Sequence, residues 1–315
     1  MNMKLKHILI AGSLAALSAF EGNSQQTGQF GQFQYNMLEI NPAYAGYRET
    51  FNLTAINRNQ WVGFEGAPVT QTLTFNSPIK GKHIAYGGTI MNDKIGPTNA
   101  FSISGDFAWK APFRDNERSV LSFGLKGSIR YYQADLQNVL IIEEGDLSFL
   151  ANENSRILPN FSTGAMLSGK TYFLGLSATT LISRKLANPN SDEYHELEAR
   201  EQSTVYFTGG KIWKLNRQVS IYPAFLLKAQ RNAPVSGGAF LNFLIMSDFK
   251  IGGYYNFREV AGGLVQWQIN RKFRIGYTFE VATSALITTN FGSHEFMLNY
   301  AFRKGRTAII YPKHF

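Results

Sequence analysis

From about Thr50 to Phe302 the chain is a succession of segments of about ten residues in which apolar and polar side chains alternate. Phe101, Ile103, Gly105, Phe107 and Trp109 alternate with Ser102, Ser104, Asp106, Ala108 and Lys110. Leu121, Phe123, Leu125, Gly127, Ile129 and Tyr131 do so against Ser122, Gly124, Lys126, Ser128 and Arg130, and Phe273, Ile275, Tyr277, Phe279 and Val281 against Lys272, Arg274, Gly276, Thr278 and Glu280. Successive side chains of a strand point to opposite faces, so each segment offers one face to hydrocarbon and one to water. A soluble β-sandwich alternates as well. The aromatic richness of the apolar face, the 29 glycines and a charged fraction of only 17% favour an all-β outer-membrane antiparallel barrel instead.

The alternating runs predict strands at 50–58, 69–79, 82–92, 98–110, 119–132, 158–168, 170–182, 202–214, 217–229, 237–247, 249–258, 260–270, 271–282 and 291–303. That is about 14, an even number as a single-chain bacterial barrel requires. Ahead of them stands a secretory signal over residues 1–22: Lys4 and Lys6, then an apolar stretch from Ile8 to Leu17, with cleavage expected between about Ala19 and Gln25. The organisation that follows is a periplasmic or lumen segment at 23–49, a barrel at 50–303 and a periplasmic tail at 304–315, with both termini periplasmic. No window supplies the roughly twenty apolar residues of a helical span.

Outer-membrane barrels carry short turns on the periplasmic side and long loops outside. The long connections here, 133–157 and 183–201, are both odd-numbered, and even ones such as Ser168-Gly169-Lys170 and Asn270-Arg271-Lys272 are tight; Pro112 to Arg118 is a longer exception. The long loops hold acid (Asp135, Glu143, Glu144, Asp146, Glu153, Asp192, Glu193, Glu196, Glu198, Glu201), whereas the periplasmic turns and tail hold Lys80, Lys82, Lys170, Lys214, Arg217, Arg271, Lys272, Arg303, Lys304, Arg306 and Lys313. Solubility and anchoring at an interface account for this division more simply than partner docking does.

The formal net charge of +9 brings nucleic acid to mind, but the basic residues are scattered singly along strands and turns, which argues against it. Zero cysteines remove disulfides, a lipobox and any thiolate chemistry. Of the four histidines past the signal, His83, His195, His294 and His314, no two are close in sequence, and no triad follows from spacing. His294 reads as an interfacial residue near a rim. Glu143, Glu144 and Asp146 lack the regular spacing of a calcium loop and read as a solvated acidic surface. The expectation is a non-enzymatic protein without metal or cofactor.

More specific is the segment around the first hairpin: Gln32-Phe33-Gln34-Tyr35-Asn36, Asn41-Pro42-Ala43-Tyr44-Ala45-Gly46, Arg58-Asn59-Gln60-Trp61-Val62-Gly63-Phe64 and Gly66-Ala67-Pro68. Asn41-Pro42 and Ala45-Gly46 break regular structure, and Tyr35 and Tyr44 can pack flat while bonding through their hydroxyls, so the leader suits a fold inside a barrel mouth or over its rim. NPAYAG at Asn41 to Gly46, the R-x-Q-W of Arg58, Gln60 and Trp61, and the G-A-P of Gly66 to Pro68, continued by Gly87-Gly88 and Asp93-Lys94-Ile95-Gly96-Pro97, resemble the N-terminal signature of the PorP/SprF family of outer-membrane proteins of the Bacteroidetes type IX secretion and gliding machinery. The resemblance implies a barrel in outer-membrane lipid that binds, delivers or retains secreted adhesins and meets periplasmic secretion components. Tyr35, Asn41, Pro42, Tyr44, Gly46, Arg58, Gln60, Trp61 and Phe64 are the candidates for plug or partner contact. Trp61 and Phe64 are expected as exposed aromatics at the rim opposite the leader.

The inward phase carries Arg58, Lys126, Arg130, Lys250, Arg258, Lys272 and Arg274, with Asp106, Glu280 and Glu295. Such charges either brace the barrel as ion pairs or line a conducting pore. A passive channel or small-solute transporter is accordingly the first alternative, and an outer-membrane hydrolase the second.

Overall fold

The structure is a computed structural model of the 315-residue chain. It describes residues 30–113, 116–135, 153–182, 202–231, 233–246, 248–257, 259–283 and 290–302. The signal segment, most of the two acidic connections, Arg258 and the C-terminal tail lie outside the described residues.

Fourteen antiparallel strands follow one another around a ring. They are β1 (Phe51–Asn59), β2 (Val69–Pro78), β3 (Ile84–Ile95), β4 (Thr98–Phe113), β5 (Asn116–Ala134), β6 (Glu153–Ser168) and β7 (Tyr172–Thr179), then β8 (Thr204–Lys211, resumed at Trp213–Lys214), β9 (Val219–Gln230), β10 (Ser236–Ile245), β11 (Phe249–Asn256), β12 (Val260–Gln268), β13 (Phe273–Ala282) and β14 (Ser293–Phe302). Each pairs with its neighbours in sequence, and β14 returns to β1 in the register Phe51↔Phe302 to Asn59↔His294, so no edge is left open. The short break in β8 faces Pro223 of β9, which has no N–H to give to the ladder.

All fourteen predicted strands are present, with different ends. β4 and β5 continue toward each other until only residues 114–115 separate them, so the connection expected as a longer exception is tight. β3 runs on through Ile95 into a turn at Gly96, whose φ of 55° is the left-handed conformation that glycine tolerates. The connections 96–97 and 257–259 are therefore as short as those at the other end, while 60–68, 135–152 and 180–203 keep the long connections on one side.

The alternation sorts as the sequence suggests. β1 reads buried at Asn52, Thr54, Ile56 and Arg58 and open between them, and Leu125, Ile129, Phe161 and Leu176 are among the exposed apolar side chains of the outer wall. Aromatic neighbours pair across strands on that face, as Phe249 does with Trp267 at 5.9 Å and Trp109 with Phe123 at 6.1 Å. Arginine in place of Leu125, 63% exposed in mid-strand, should cost about 2–4 kcal/mol of barrel stability. Arginine at inward, half-buried Ser128 should cost much less, and equal urea midpoints for the two variants would contradict the outward assignment of Leu125. Thr278, on the same inward phase as Ser128, does not belong with the tolerant positions: it is fully buried beneath the leader.

Candidate functional site

The leader folds inside the barrel. Residues 31–37 and 41–47 are all buried, in short turns at Phe33–Tyr35, Met37–Ile40 and Pro42–Tyr44. Sequence chemistry explains the last of these. Asn41 accepts a hydrogen bond from the Ala43 N–H through its side chain (2.9 Å), and Pro42 occupies the first helical position, where a missing donor costs nothing. The same Asn41 donates to the Ala165 carbonyl of β6 (3.1 Å), so one side chain both caps the turn and ties it to the wall. Gly46 ends the motif at φ 63°, where a Cβ would lie 2.5 Å from that of Ala85, and its carbonyl accepts from Lys110.

The wall is shaped to receive the leader. Inward-facing Gly124 lies against the backbone of Pro42 and Ala43, Gly164 against Asn41, and Gly87 against Leu38; a side chain at any of these would collide with the plug. Phe33 packs on Phe240 at 4.6 Å between centroids, and Tyr44 stacks on Tyr47 at 5.3 Å. Arg48 lies 3.8 Å from the Tyr35 ring centre and donates to the Tyr44 hydroxyl (3.0 Å). Burial, with Tyr44 adding, pushes the Tyr47 hydroxyl well above its usual pKa, so it stays neutral.

Two charge clusters hold the plug. Arg58 forks onto Glu280 (2.5 Å) and Glu295 (3.1 Å), with all three side chains almost wholly buried. Glu295 also accepts from the backbone N–H groups of Gly31 (3.1 Å) and Gln32 (2.8 Å), and Tyr254 donates to Glu280. The leader is thus clamped to an ion triad made by β1, β13 and β14. On the far wall Lys126 bridges Glu39 of the leader (2.9 Å) and Asp106 (3.8 Å). Amides complete the seating: Gln32 meets Thr278 and Gln266, and Lys250 donates to Gln34 (2.6 Å).

These contacts gather Tyr35, Asn41, Pro42, Tyr44, Gly46, Arg58, Lys126, Arg274 and Glu280 in or around one filled lumen, with Arg274 hydrogen-bonded to Gln266 and Gln268. Arg130 is half-buried on the inward phase further along β5. Lys272, expected both in a periplasmic turn and on the inward phase, keeps only the first place: it is exposed in the turn between β12 and β13, because β13 begins only at Phe273, and it is no lumen charge. Gln60 and Trp61 are half-buried where β1 ends, Gln60 N–H bonding the Pro68 carbonyl (2.9 Å) and Trp61 N–H the Ser293 hydroxyl (3.2 Å). Trp61 is therefore not the exposed aromatic expected. Phe64 is exposed, together with Val62 and, at 79%, Phe291. Two backbone hydrogen bonds of 2.8 Å, from Val62 N–H to Gly292 and from Phe291 N–H to Val62, fasten the first connection to the last. The wall glycines and Glu39 escape a reading of the sequence alone; the signal for the glycines is their inward phase at 87, 124 and 164, where a lumen needs filling.

A family model described as type IX secretion system membrane protein PorP/SprF matches residues 22–300. No curated protein matches the chain. Among solved structures, the CymD monoaromatic hydrocarbon channel is 8% identical with a TM-score of 0.50, over 86% of this chain and 93% of that one. The Acinetobacter baumannii outer membrane protein Omp33 is 10% identical with a TM-score of 0.46, over 82% of this chain and all of that one. At 8% identity the likeness to the CymD channel shows a shared barrel fold and nothing finer.

Proposed function

Since this chain belongs to the PorP/SprF family of type IX secretion system membrane proteins, we propose that it is a plugged, non-enzymatic outer-membrane barrel that binds and retains secreted surface proteins. Family and fold put it in the outer membrane, in association with type IX secretion. In the proposed arrangement the long connections face outward, where their rim meets cargo such as an adhesin, and the tight turns face the periplasmic components.

One observation carries this reading above that of a passive channel: the lumen is occupied by residues 31–47 of the chain itself, nearly all buried, tied to one wall by the Lys126–Glu39 ion pair and to the other by hydrogen bonds from the Gly31 and Gln32 N–H groups to Glu295. Conduction would require that plug to leave. The rim supports a binding role, since Val62, Phe64 and Phe291 stand exposed on two connections braced against each other, the setting in which apolar side chains mark an interaction site.

Phe64→Ala combined with Val62→Ser should leave barrel yield unchanged and lower the amount of retained surface protein several-fold, read by proteomics of material shaved from intact cells. An epitope inserted at exposed Glu65 should label in those same cells. Unchanged surface protein, together with a large steady conductance of the purified wild type, would sink the secretion role in favour of a channel.

A further inference from the structure

The outer wall has a polar interruption on β1, β2 and β3. On β5 the outward positions run apolar or glycine from Leu121 to Tyr131, and on β13 from Phe273 to Val281. On β1 the series Phe51, Leu53, Ala55 gives way to Asn57; on β2 Phe75 and Leu73 give way to Gln71; on β3 Tyr86, Gly88 and Ile90 give way to Asn92. The three amides are register partners, Asn57↔Gln71 and Gln71↔Asn92, so they stand side by side across three strands.

Their depth makes this unusual. Asn57, Gln71 and Asn92 lie six, seven and eight residues along from Phe51, Pro78 and Ile84, the tight-turn ends of their strands. With about 3.3 Å per residue along a strand tilted by about 40°, that is roughly 15–20 Å up an apolar band about 25 Å tall. Hydrocarbon offers these amides no partners. Gln71 Nε2 donates to Asn57 Oδ1 (3.3 Å), which leaves the Gln71 carbonyl, the Asn57 amino group and the whole Asn92 amide without a hydrogen bond among the described residues. Gln71 is exposed, and the other two are half-buried.

We propose that this face is the contact between two copies of the chain in the membrane. A primary amide both donates and accepts, so the patch is complementary to itself, as an isologous twofold interface requires. With Gln71, the middle member, near the axis, each Gln71 meets its counterpart and the unused donors and acceptors of one copy face those of the other. The three residues carry no charge and demand no counter-ion from a different partner. Hydrogen bonding between polar side chains within the membrane supplies the association that apolar contact alone does not.

Because the chain has no cysteine, single-cysteine probes can test this contact directly in native outer membranes. Gln71→Cys should form a disulfide-linked species of twice the mass under copper–phenanthroline, and Leu241→Cys, exposed on β10 of the opposite wall, should not. In nanodiscs, the triple variant Asn57→Leu, Gln71→Leu, Asn92→Leu should lower the dimer fraction at least tenfold without reducing barrel yield. No linked species at Gln71→Cys, equal linking at Leu241→Cys, adducts only with a different polypeptide, or an unchanged dimer fraction in the triple variant would each overturn the proposal.

Discussion

Arg58→Ala should lower barrel stability by about 3–5 kcal/mol, because it strands two carboxylates, Glu280 and Glu295, in a site from which water is excluded. The cost comes from the uncompensated charge more than from the lost attraction. Adding Glu280→Gln and Glu295→Gln to the same variant should therefore recover most of it, since neutral amides tolerate burial and the Glu295→Gln carbonyl can still accept from Gly31 and Gln32. Urea midpoints of the heat-modifiable barrel band in liposomes read both steps. A single variant as stable as wild type would show that the triad does not brace the fold.

Deleting residues 31–47 should raise planar-bilayer conductance from background by about tenfold or more, since a barrel of fourteen strands emptied of its filling holds water. Gly124→Val offers a gentler version. Its side chain would collide with the backbone of Pro42 and Ala43, unseating the plug while leaving the outward face of β5 unchanged, and uptake of a bulky antibiotic by cells should rise in step. Wild-type conductance already equal to that of the deletion would mean that the leader does not close the lumen.

How far the sequence reveals this molecule depends on the range of each signal. Alternation is local and strong, so Phe101 to Trp109 and Leu121 to Tyr131 betray their strands and their faces without any partner in view. The inward phase of Arg58, Lys126 and Glu280 is legible on the same ground. Which of them pair is not, because Arg58 and Glu280 are 222 residues apart and Lys126 turns to Glu39 only once the leader lies across the lumen. Lys272 shares the parity of the inward set and yet is exposed, because parity has meaning only inside a strand and this residue precedes one. Thr278 looks like an open lumen position until the leader is in place above it. Asn41 to Gly46 stands out as irregular, but that its irregularity fits Gly124 and Gly164 needs the ring to be closed.

The clamp on the leader also constrains the order of assembly. Glu295 belongs to the last strand and Arg58 to the first, and the pairing of those two strands is the seam that shuts the ring. The leader hangs from the start of β1, at a mouth of the cylinder that is open whether or not the seam has met, so it can enter the lumen from that end. What waits for the seam is its grip, because the carboxylate that accepts from Gly31 and Gln32 arrives with the final strand. Locking the contents thus depends on closing the ring, a step that joins residues at opposite ends of the chain, a topology in which distant contacts make folding slow.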